Sequence, residues 1–123
     1  MKTLRAMIVD DEAHVRVVLR ELVKSISAEV VGELDNGLEV TREYGILQPD
    51  LVLLDISMPC KSGDQVVTEL KQNYPDARII IMTGIEDSEL IGQCVDSGAC
   101  GYIRKDMPFA EMCERLKLIL ENE

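Results

Sequence analysis

Four apolar residues and one acid, LVLLD at residues 51–55, form the most informative segment of the 123-residue chain. Its apolar character is continuous rather than alternating, which is typical of a strand covered on both faces in a parallel sheet. Two further runs of the same kind occur, AMIV at residues 6–9 and IIIM at residues 79–82. Weaker strands are predicted around residues 30–31 and at residues 101–103, which gives five strands in all.

Helical periodicity fills the intervals between these strands. Apolar residues recur at three- and four-residue spacing in residues 15–26 and in residues 109–120, with Pro108 in the first turn of the last helix. Shorter patterns predict helices around residues 66–70 and 90–95, and the weakest pattern predicts a short second helix over residues 37–44. Because strand and helix alternate five times, the sequence predicts an α/β fold. Its five-stranded parallel sheet would have the order 2-1-3-4-5, with the five helices on both faces.

Composition limits the classes of protein that the chain can represent. Its length fits a single domain over residues 1–123, and its formal net charge of −10 disfavours contact with nucleic acid or anionic membranes. Four cysteines without a CxxC pair, together with one histidine, argue against a zinc site and favour reduced thiols in a cytoplasmic protein. The first apolar run is too short for a signal peptide or a membrane span.

Acidic and polar residues follow the predicted strands at one edge of the sheet. Asp10 and Asp11 follow the first strand, Asp55 ends the third, Thr83 ends the fourth and Lys105 follows the fifth. Ligands of open α/β sheets bind beyond the carboxyl ends of the strands, so we expect these side chains to share one crevice. Clustered carboxylates repel each other unless a hard cation lies between them. The sequence therefore predicts Mg²⁺ rather than zinc.

The charges of this site suggest what it does. The three negative charges of the carboxylates are balanced by one Mg²⁺ and the Lys105 ammonium. Phosphorylation would replace the single negative charge of Asp55 with a phosphoryl group that carries up to about two. Thr83 could donate a hydrogen bond to the new oxygens, and Gly84 would let the backbone approach them closely. Taken singly, Asp11 could cap a helix, Asp55 could cap a turn and Lys105 could be a solvated charge. Their joint arrangement on four strands favours a functional site.

Five separated motifs resemble the receiver domain of two-component response regulators, and the resemblance covers nearly the whole chain. The motifs are Asp10-Asp11, Asp55 with Met58-Pro59 and Gly63, Thr83-Gly84, the segment of residues 98–102, and Lys105. The resemblance implies the flavodoxin-like receiver fold. It also implies a phosphorylation-dependent signalling switch that catalyses only its own phosphoryl acceptance and hydrolysis, so an enzyme in the wider sense is not expected.

The resemblance implies a role for each residue around the phosphoacceptor. Asp55 would take a phosphoryl group from the phosphohistidine of a sensor kinase or of a phosphotransfer protein. Asp11 and Asp55 would bind Mg²⁺ directly, with the backbone carbonyl of Ser57, and Asp10 would bind it directly or through a water molecule. Since the donor histidine belongs to the partner, His14 is expected to be an exposed helix residue.

The resemblance also implies how the signal leaves the site. Thr83 and Lys105 would complete the catalytic set, and Thr83 with Tyr102 would form the switch. The readout surface would be the fourth helix, fifth strand and fifth helix, roughly residues 87–120. Its partner would be a downstream output protein or domain, expected on a separate chain because this one stops with the fifth helix, unless the chain is a fragment of a longer regulator. A phosphorylation-linked dimer is left open.

Some positions depart from the usual receiver pattern. Asp106 stands where many relatives have proline, so the sequence does not fix the geometry of the preceding peptide bond. The pair Lys105-Asp106, with Gly101-Tyr102 before it, is more similar to the LuxR/NarL-type branch. Cys60 and Asp64 replace residues that are usually glycine and apolar, so the loop after the phosphoacceptor is expected to differ. Ser57 and Ile85 lie where side chains can control the access of water to an acyl phosphate.

Three other functions compete with the receiver interpretation. A phosphatase with an aspartyl-phosphate intermediate would usually carry an acid two residues after the nucleophile, where this chain has Ser57. A phosphorylation-independent binding module would not need the complete set of acids, hydroxyl and lysine. A flavin-binding domain of the same fold would have to hold a phosphate beside the acidic pair, which is unfavourable.

Overall fold

The computed structural model describes residues 3–58, 60–84 and 88–122. Strands and helices alternate through this part of the chain: β1 (Arg5–Val9), α1 (Ala13–Ser25), β2 (Glu29–Leu34), α2 (Val40–Leu47), β3 (Leu51–Asp55), α3 (Gly63–Asn73), β4 (Ile79–Thr83), α4 (Ser88–Asp96), β5 (Gly101–Arg104) and α5 (Phe109–Glu121). None of the helices in these ranges is long and apolar enough to cross a membrane. The predictions made for Pro59, Ile85 and residue 87 lie outside the described residues.

The five strands form one parallel sheet in the order β2-β1-β3-β4-β5, as predicted. β3 lies at the centre, where Leu54 is opposite Val9 of β1 and Asp55 is opposite Met82 of β4. Thr83 is in turn opposite Arg104 of β5. This register brings the carboxyl ends of β1, β3, β4 and β5 to the same edge of the sheet.

The continuous apolar runs are explained by burial on both faces of the sheet. Because side chains alternate along a strand, each run supplies two separate cores. One face packs against α2, α3 and α4 through Met7, Val9, Val52, Leu54, Ile79 and Ile81. The other packs against α1 and α5 through Ala6, Ile8, Leu51, Leu53, Ile80 and Met82. All twelve side chains are fully buried, so helices on both faces are confirmed.

Two helix starts differ from the sequence prediction. α2 begins at Val40 rather than at residue 37, because the Asn36 side chain accepts a hydrogen bond from the Leu38 N–H at 2.9 Å and holds the preceding residues in a turn. Gly37 is buried in that turn, where a Cβ atom would lie 2.9 Å from the Val66 side chain. Pro108 is the N-cap residue of α5, one position before the first helical turn where it was predicted.

Candidate functional site

Asp55 is placed by a strand that is buried along its whole length. The four residues before it anchor β3 in both cores, so the acid lies at the carboxyl end with only 2% of its surface exposed. Its Oδ1 atom accepts a hydrogen bond from the Ser57 N–H at 3.0 Å and lies 3.3 Å from Lys105 Nζ. Burial raises the pKa of Asp55, and the nearby Asp10 carboxylate adds to the rise, while the Ser57 amide and the Lys105 ammonium offset it only in part. The charged form is therefore held at an energetic cost.

Asp10 is fully buried, and its N–H and both carboxylate oxygens contact three groups from different parts of the fold. Its N–H donates to the Leu34 carbonyl of β2 at 3.0 Å, and its Oδ1 atom accepts from the Glu12 N–H at 2.9 Å. Its Oδ2 atom lies 2.6 Å from Lys105 Nζ. Although this ion pair is short, Oδ2 receives no hydrogen bond of normal geometry within residues 3–58, 60–84 and 88–122. The atom therefore keeps capacity to contact a second cation.

The carboxylates of Asp10, Asp11 and Asp55 converge, as the sequence predicted. One oxygen from each lies within 4.8 Å of the other two. Asp11 is exposed, so the cluster opens to solvent on its side. An adjoining cavity of about 280 Å³ is lined by Asp11, Glu12, Asp55, Ser57, Gly84 and Lys105. A set of hard oxygen donors that includes one buried, incompletely satisfied atom fits Mg²⁺ well.

Lys105 joins the ends of β4 and β5 to the acidic cluster. Its backbone N–H donates to the Thr83 carbonyl at 2.7 Å, which fixes the start of the loop between β5 and α5. Burial by itself lowers the pKa of Lys105, but the contacts with Asp10 and Asp55 outweigh it, and the net pKa is raised. The side chain is 14% exposed, so its ammonium is a fixed positive charge at the bottom of the crevice.

Thr83 and Tyr102 lie on adjacent strands and on the same face of the sheet. Thr83 ends β4 and is fully buried. Tyr102 of β5 is opposite Ile81, which lies two residues before Thr83 in β4, so the side chains of Thr83 and Tyr102 are on the same face. Tyr102 is partly buried and packs against the core beneath α2, α3 and α4. Arg115 of α5 lies over its ring, 5.3 Å from the centroid, and donates from Nε to the Tyr102 carbonyl at 3.3 Å. Of the two residues predicted to form the switch, Tyr102 therefore contacts α5 directly.

The positions that depart from the receiver pattern have distinct local structures. Cys60 is exposed and has a φ of 75°, the left-handed conformation that glycine adopts most easily. Asp64 lies in the first turn of α3 and accepts a hydrogen bond from the Ser62 hydroxyl at 2.7 Å. None of the described peptide bonds is cis, and Asp106 forms a bidentate ion pair with Arg104.

His14 and Arg16 lie near the N-terminus of α1, close to the acidic cluster. The His14 side chain is 78% exposed and lies 3.5 Å from Glu12, as expected for a surface residue. Arg16, which the sequence interpretation did not single out, donates from Nη1 to the Asp10 carbonyl at 2.7 Å. A cation so close to a helix N-terminus opposes the helix dipole, and this was the signal available in the sequence.

Comparison with known proteins defines the family. The model of the response regulator receiver domain matches residues 6–117, and the chain belongs to this family. The predicted receiver identity is thus confirmed, and with it a place among two-component response regulators, which are signalling regulators.

Individual relatives include free-standing receivers and longer regulators. The chain is 31% identical to the chemotaxis protein CheY of Thermotoga maritima, over 94% of this chain and 96% of that protein. It is 30% identical to the response regulator GacA of Pseudomonas viridiflava over 98% of its own length, but spans only 56% of GacA. A LuxR-family response regulator from Aurantimonas is similar in structure, with a TM-score of 0.90, 31% identity and coverage of 99% of this chain and 88% of that one. Because relatives of both kinds match at similar identity, the LuxR/NarL-type branch stays a prediction.

Proposed function

We propose that this receiver accepts a phosphoryl group on Asp55 from the phosphohistidine of a sensor kinase or a phosphotransfer protein, with Mg²⁺ bound beside it. The observation that carries the proposal is the convergence of the carboxylates of Asp10, Asp11 and Asp55. Two of them contact Lys105 Nζ, which lies 2.6 Å from Asp10 and 3.3 Å from Asp55. Phosphoryl transfer depends mainly on positioning and on charge stabilisation, and such a crevice supplies both.

The acidic cluster would hold the metal ion. The carboxylates of Asp10, Asp11 and Asp55 and the backbone carbonyl of Ser57 are the proposed ligands, all of them oxygen donors of the kind that Mg²⁺ prefers. When bound, the ion would neutralise negative charge on the phosphoryl oxygens during transfer. The buried Oδ2 atom of Asp10, whose ion pair with Lys105 leaves it without a well-formed hydrogen bond, supports this assignment.

Asp55 would act as the nucleophile. One of its carboxylate oxygens forms a bond to phosphorus while the bond from phosphorus to the donor imidazole nitrogen breaks, which yields an acyl phosphate and a free histidine on the partner. Among the described residues, the Ser57 N–H and Lys105 Nζ both contact Asp55 at Oδ1, so Oδ2 would be available for the new bond. The Lys105 ammonium would pair with a phosphoryl oxygen. Attack of water on phosphorus would later release phosphate and restore the carboxylate, so the domain is a phosphoacceptor regulator.

The output would pass through Thr83 and Tyr102. A phosphoryl group on Asp55 offers acceptors to the Thr83 hydroxyl, and the shared face of the sheet connects Thr83 with the Tyr102 ring. The contacts of Arg115 with Tyr102 extend this path to α5. We propose that the surface of α4, β5 and α5 binds a downstream output protein or domain in one of two states.

We further propose the extent of the domain and the compartment in which it works. The five strands and five helices share one sheet, and we propose that residues 1–123 form a single receiver domain. The formal charge of −10 supports a domain that does not itself bind nucleic acid or membranes. The four unpaired cysteines favour the cytoplasm. A dimer linked to phosphorylation is compatible with this proposal but is not needed for it.

One experiment tests phosphoryl acceptance directly. The protein is incubated with a small-molecule phosphodonor and Mg²⁺, and its intact mass is measured. We expect one added phosphoryl group, which is lost in Asp55→Asn and on chelation of the metal. Asp35→Asn is the matched control, because Asp35 is an exposed aspartate that follows β2 at the same edge of the sheet. Its phosphorylation should equal that of the wild type.

The same experiment separates the alternatives. Rapid multiple turnover of phosphate esters would indicate a phosphatase, and the absence of modification with every donor would indicate a phosphorylation-independent binding module. For the output path, addition of a phosphate mimic should shift the NMR signals of Tyr102 and of the α4 amides. Unchanged signals there, in a protein that does take the mimic, would reject this path.

A further inference from the structure

Arg16 links helix α1 to the backbone of the acidic cluster. Its Nη1 atom donates to the Asp10 carbonyl at 2.7 Å, and its Nε atom lies 3.5 Å from Glu33 Oε1 on β2. The side chain is only 20% exposed, and that of Glu33 is 25% exposed. The guanidinium is therefore held between a carboxylate and a backbone carbonyl, which limits its freedom.

The position of the Asp10 carbonyl also affects the orientation of Asp11. A peptide bond is planar, so the carbonyl of Asp10 and the N–H of Asp11 belong to one rigid unit. Fixing the carbonyl oxygen fixes the direction in which the chain continues into Asp11. The other end of the Asp10 backbone is fixed by its N–H bond to the Leu34 carbonyl. Within the described residues, the Arg16 bond is the contact that sets the plane between the two acids.

We propose that Arg16 is a positioning residue for the cation site: it holds the Asp10–Asp11 peptide so that both carboxylates face Asp55. This inference rests on the proposed function, since it concerns the same Mg²⁺ site. Asp11 is exposed and belongs to neither core of the described residues, so its direction depends on the backbone. Groups that orient metal ligands affect affinity strongly although they never touch the ion.

The positioning role and a purely electrostatic role predict opposite effects. Arg16 is a cation near the cluster, so its charge alone opposes the binding of Mg²⁺, and neutralising it would tighten binding. If Arg16 positions the acids, neutralising it weakens binding instead. The sign of the change in affinity therefore distinguishes the two roles without reference to its size.

Arg20 provides a matched control on the same helix. It lies one turn after Arg16 and also pairs with Glu33, donating from Nη2 to Oε1 at 3.0 Å. It does not contact Asp10 in the described structure. Arg20→Met therefore removes the same charge and the same kind of ion pair as Arg16→Met, but leaves the bond to the Asp10 carbonyl in place.

Two measurements on the full chain test the proposal. Calorimetric titration with MgCl₂ should show affinity about tenfold weaker in Arg16→Met than in the wild type. Affinity in Arg20→Met should be unchanged or slightly tighter. Hydrogen exchange of the Glu12 amide, which donates to Asp10 Oδ1, should accelerate in metal-free Arg16→Met and not in Arg20→Met. Arg16→Lys, a milder change that keeps the charge, serves if the methionine variant does not fold, and it should also lose affinity and Glu12 protection.

The outcomes separate the two proposals. Affinity of Arg16→Met equal to or tighter than that of the wild type would overturn the positioning role. If the wild type itself binds no Mg²⁺, the proposed metal site fails, and the metal-free exchange rates then decide on Arg16 alone. Equal exchange of the Glu12 amide in the two methionine variants would overturn the positioning role in that case.

Discussion

Replacing Asp55 with asparagine should stabilise the metal-free protein at neutral pH. The change removes one negative charge from a buried group and keeps its shape and its ability to accept the Ser57 N–H bond at 3.0 Å. Burial and the neighbouring Asp10 carboxylate raise the pKa of Asp55, which means that the folded state disfavours the ionised form. Most substitutions of buried residues destabilise a protein, so an increase in stability would be diagnostic.

The expected magnitude follows from the charges around Asp55. The carboxylate oxygens of Asp10 and Asp11 lie within 4.8 Å, and at an effective dielectric constant of about 20 each repels the Asp55 charge by about 3.5 kcal/mol. Lys105 Nζ, at 3.3 Å, attracts it by about 5 kcal/mol. Water screens the exposed Asp11, whereas the loss of hydration at Asp55 adds to the cost. We expect a net gain of about 1–2 kcal/mol, or about 4–8 °C in Tm.

Thermal and urea unfolding followed by circular dichroism measure this gain, with a chelator and with Mg²⁺. Because the folded pKa is raised, the penalty for the charge is absent below the unfolded pKa of about 3.9 and develops as the pH rises through the folded pKa. The difference between the variant and the wild type should therefore grow from acidic to neutral pH. Saturating Mg²⁺ should reverse it, because binding at a hundredfold Kd stabilises the wild type by about 2.7 kcal/mol.

Two results would refute this reasoning. The first is a metal-free Asp55→Asn protein that is less stable than the wild type at neutral pH, because the three acids would then not be in conflict. The second is a gain that does not change with pH, because it would not come from ionisation of Asp55. Asp35→Asn is the control, since this exposed strand-end acid should change the free energy of unfolding by less than about 0.5 kcal/mol.

Three further substitutions test the surrounding structure by urea unfolding or NMR. Cys60→Gly should stabilise the protein by about 1 kcal/mol, because a φ of 75° strains any residue with a Cβ atom; a loss of stability would contradict this. Gly63→Ala should destabilise by about 1–3 kcal/mol, because its Cβ would lie 2.8 Å from the Ile56 Cα; a neutral result would show that the loop yields. Arg115→Ala should shift the ring signals of Tyr102 and cost about 0.5–1 kcal/mol, and unchanged ring signals would remove Arg115 from the output path.

The sheet could be predicted from the sequence because its strands carry a strong and unambiguous signal. Residues 51–54 and 79–82 are continuously apolar, and both segments are buried in the centre of the sheet. A parallel sheet then places the residues at the ends of its strands at one edge, which is why the sequence alone assigns Asp10, Asp55 and Thr83 to one site. The topology of the sheet explains why these residues converge. The structure adds the distances between their side chains and the partners that each one contacts.

The turns and helix starts were harder, because competing side-chain contacts decide them. α2 begins at Val40 because Asn36 bonds to the Leu38 N–H and Gly37 packs against Val66, and neither contact follows from periodicity. The left-handed conformation of Cys60 is a related case. The receiver pattern favours glycine there, but a single sequence does not reveal whether the backbone keeps that conformation when the residue changes.

Arg16 and Arg20 could not be distinguished from their spacing in the sequence. They lie one turn apart on the same face of α1, and both contact Glu33, so their positions in the sequence do not distinguish them. Helical side chains point toward the N-terminus of their helix, and the loop that carries Asp10 precedes α1. The arginine nearer that loop reaches the Asp10 carbonyl, and the later one does not. The direction of side chains along a helix, rather than the hydrophobic pattern, therefore determines which of two equivalent residues can support a site that lies before the helix begins.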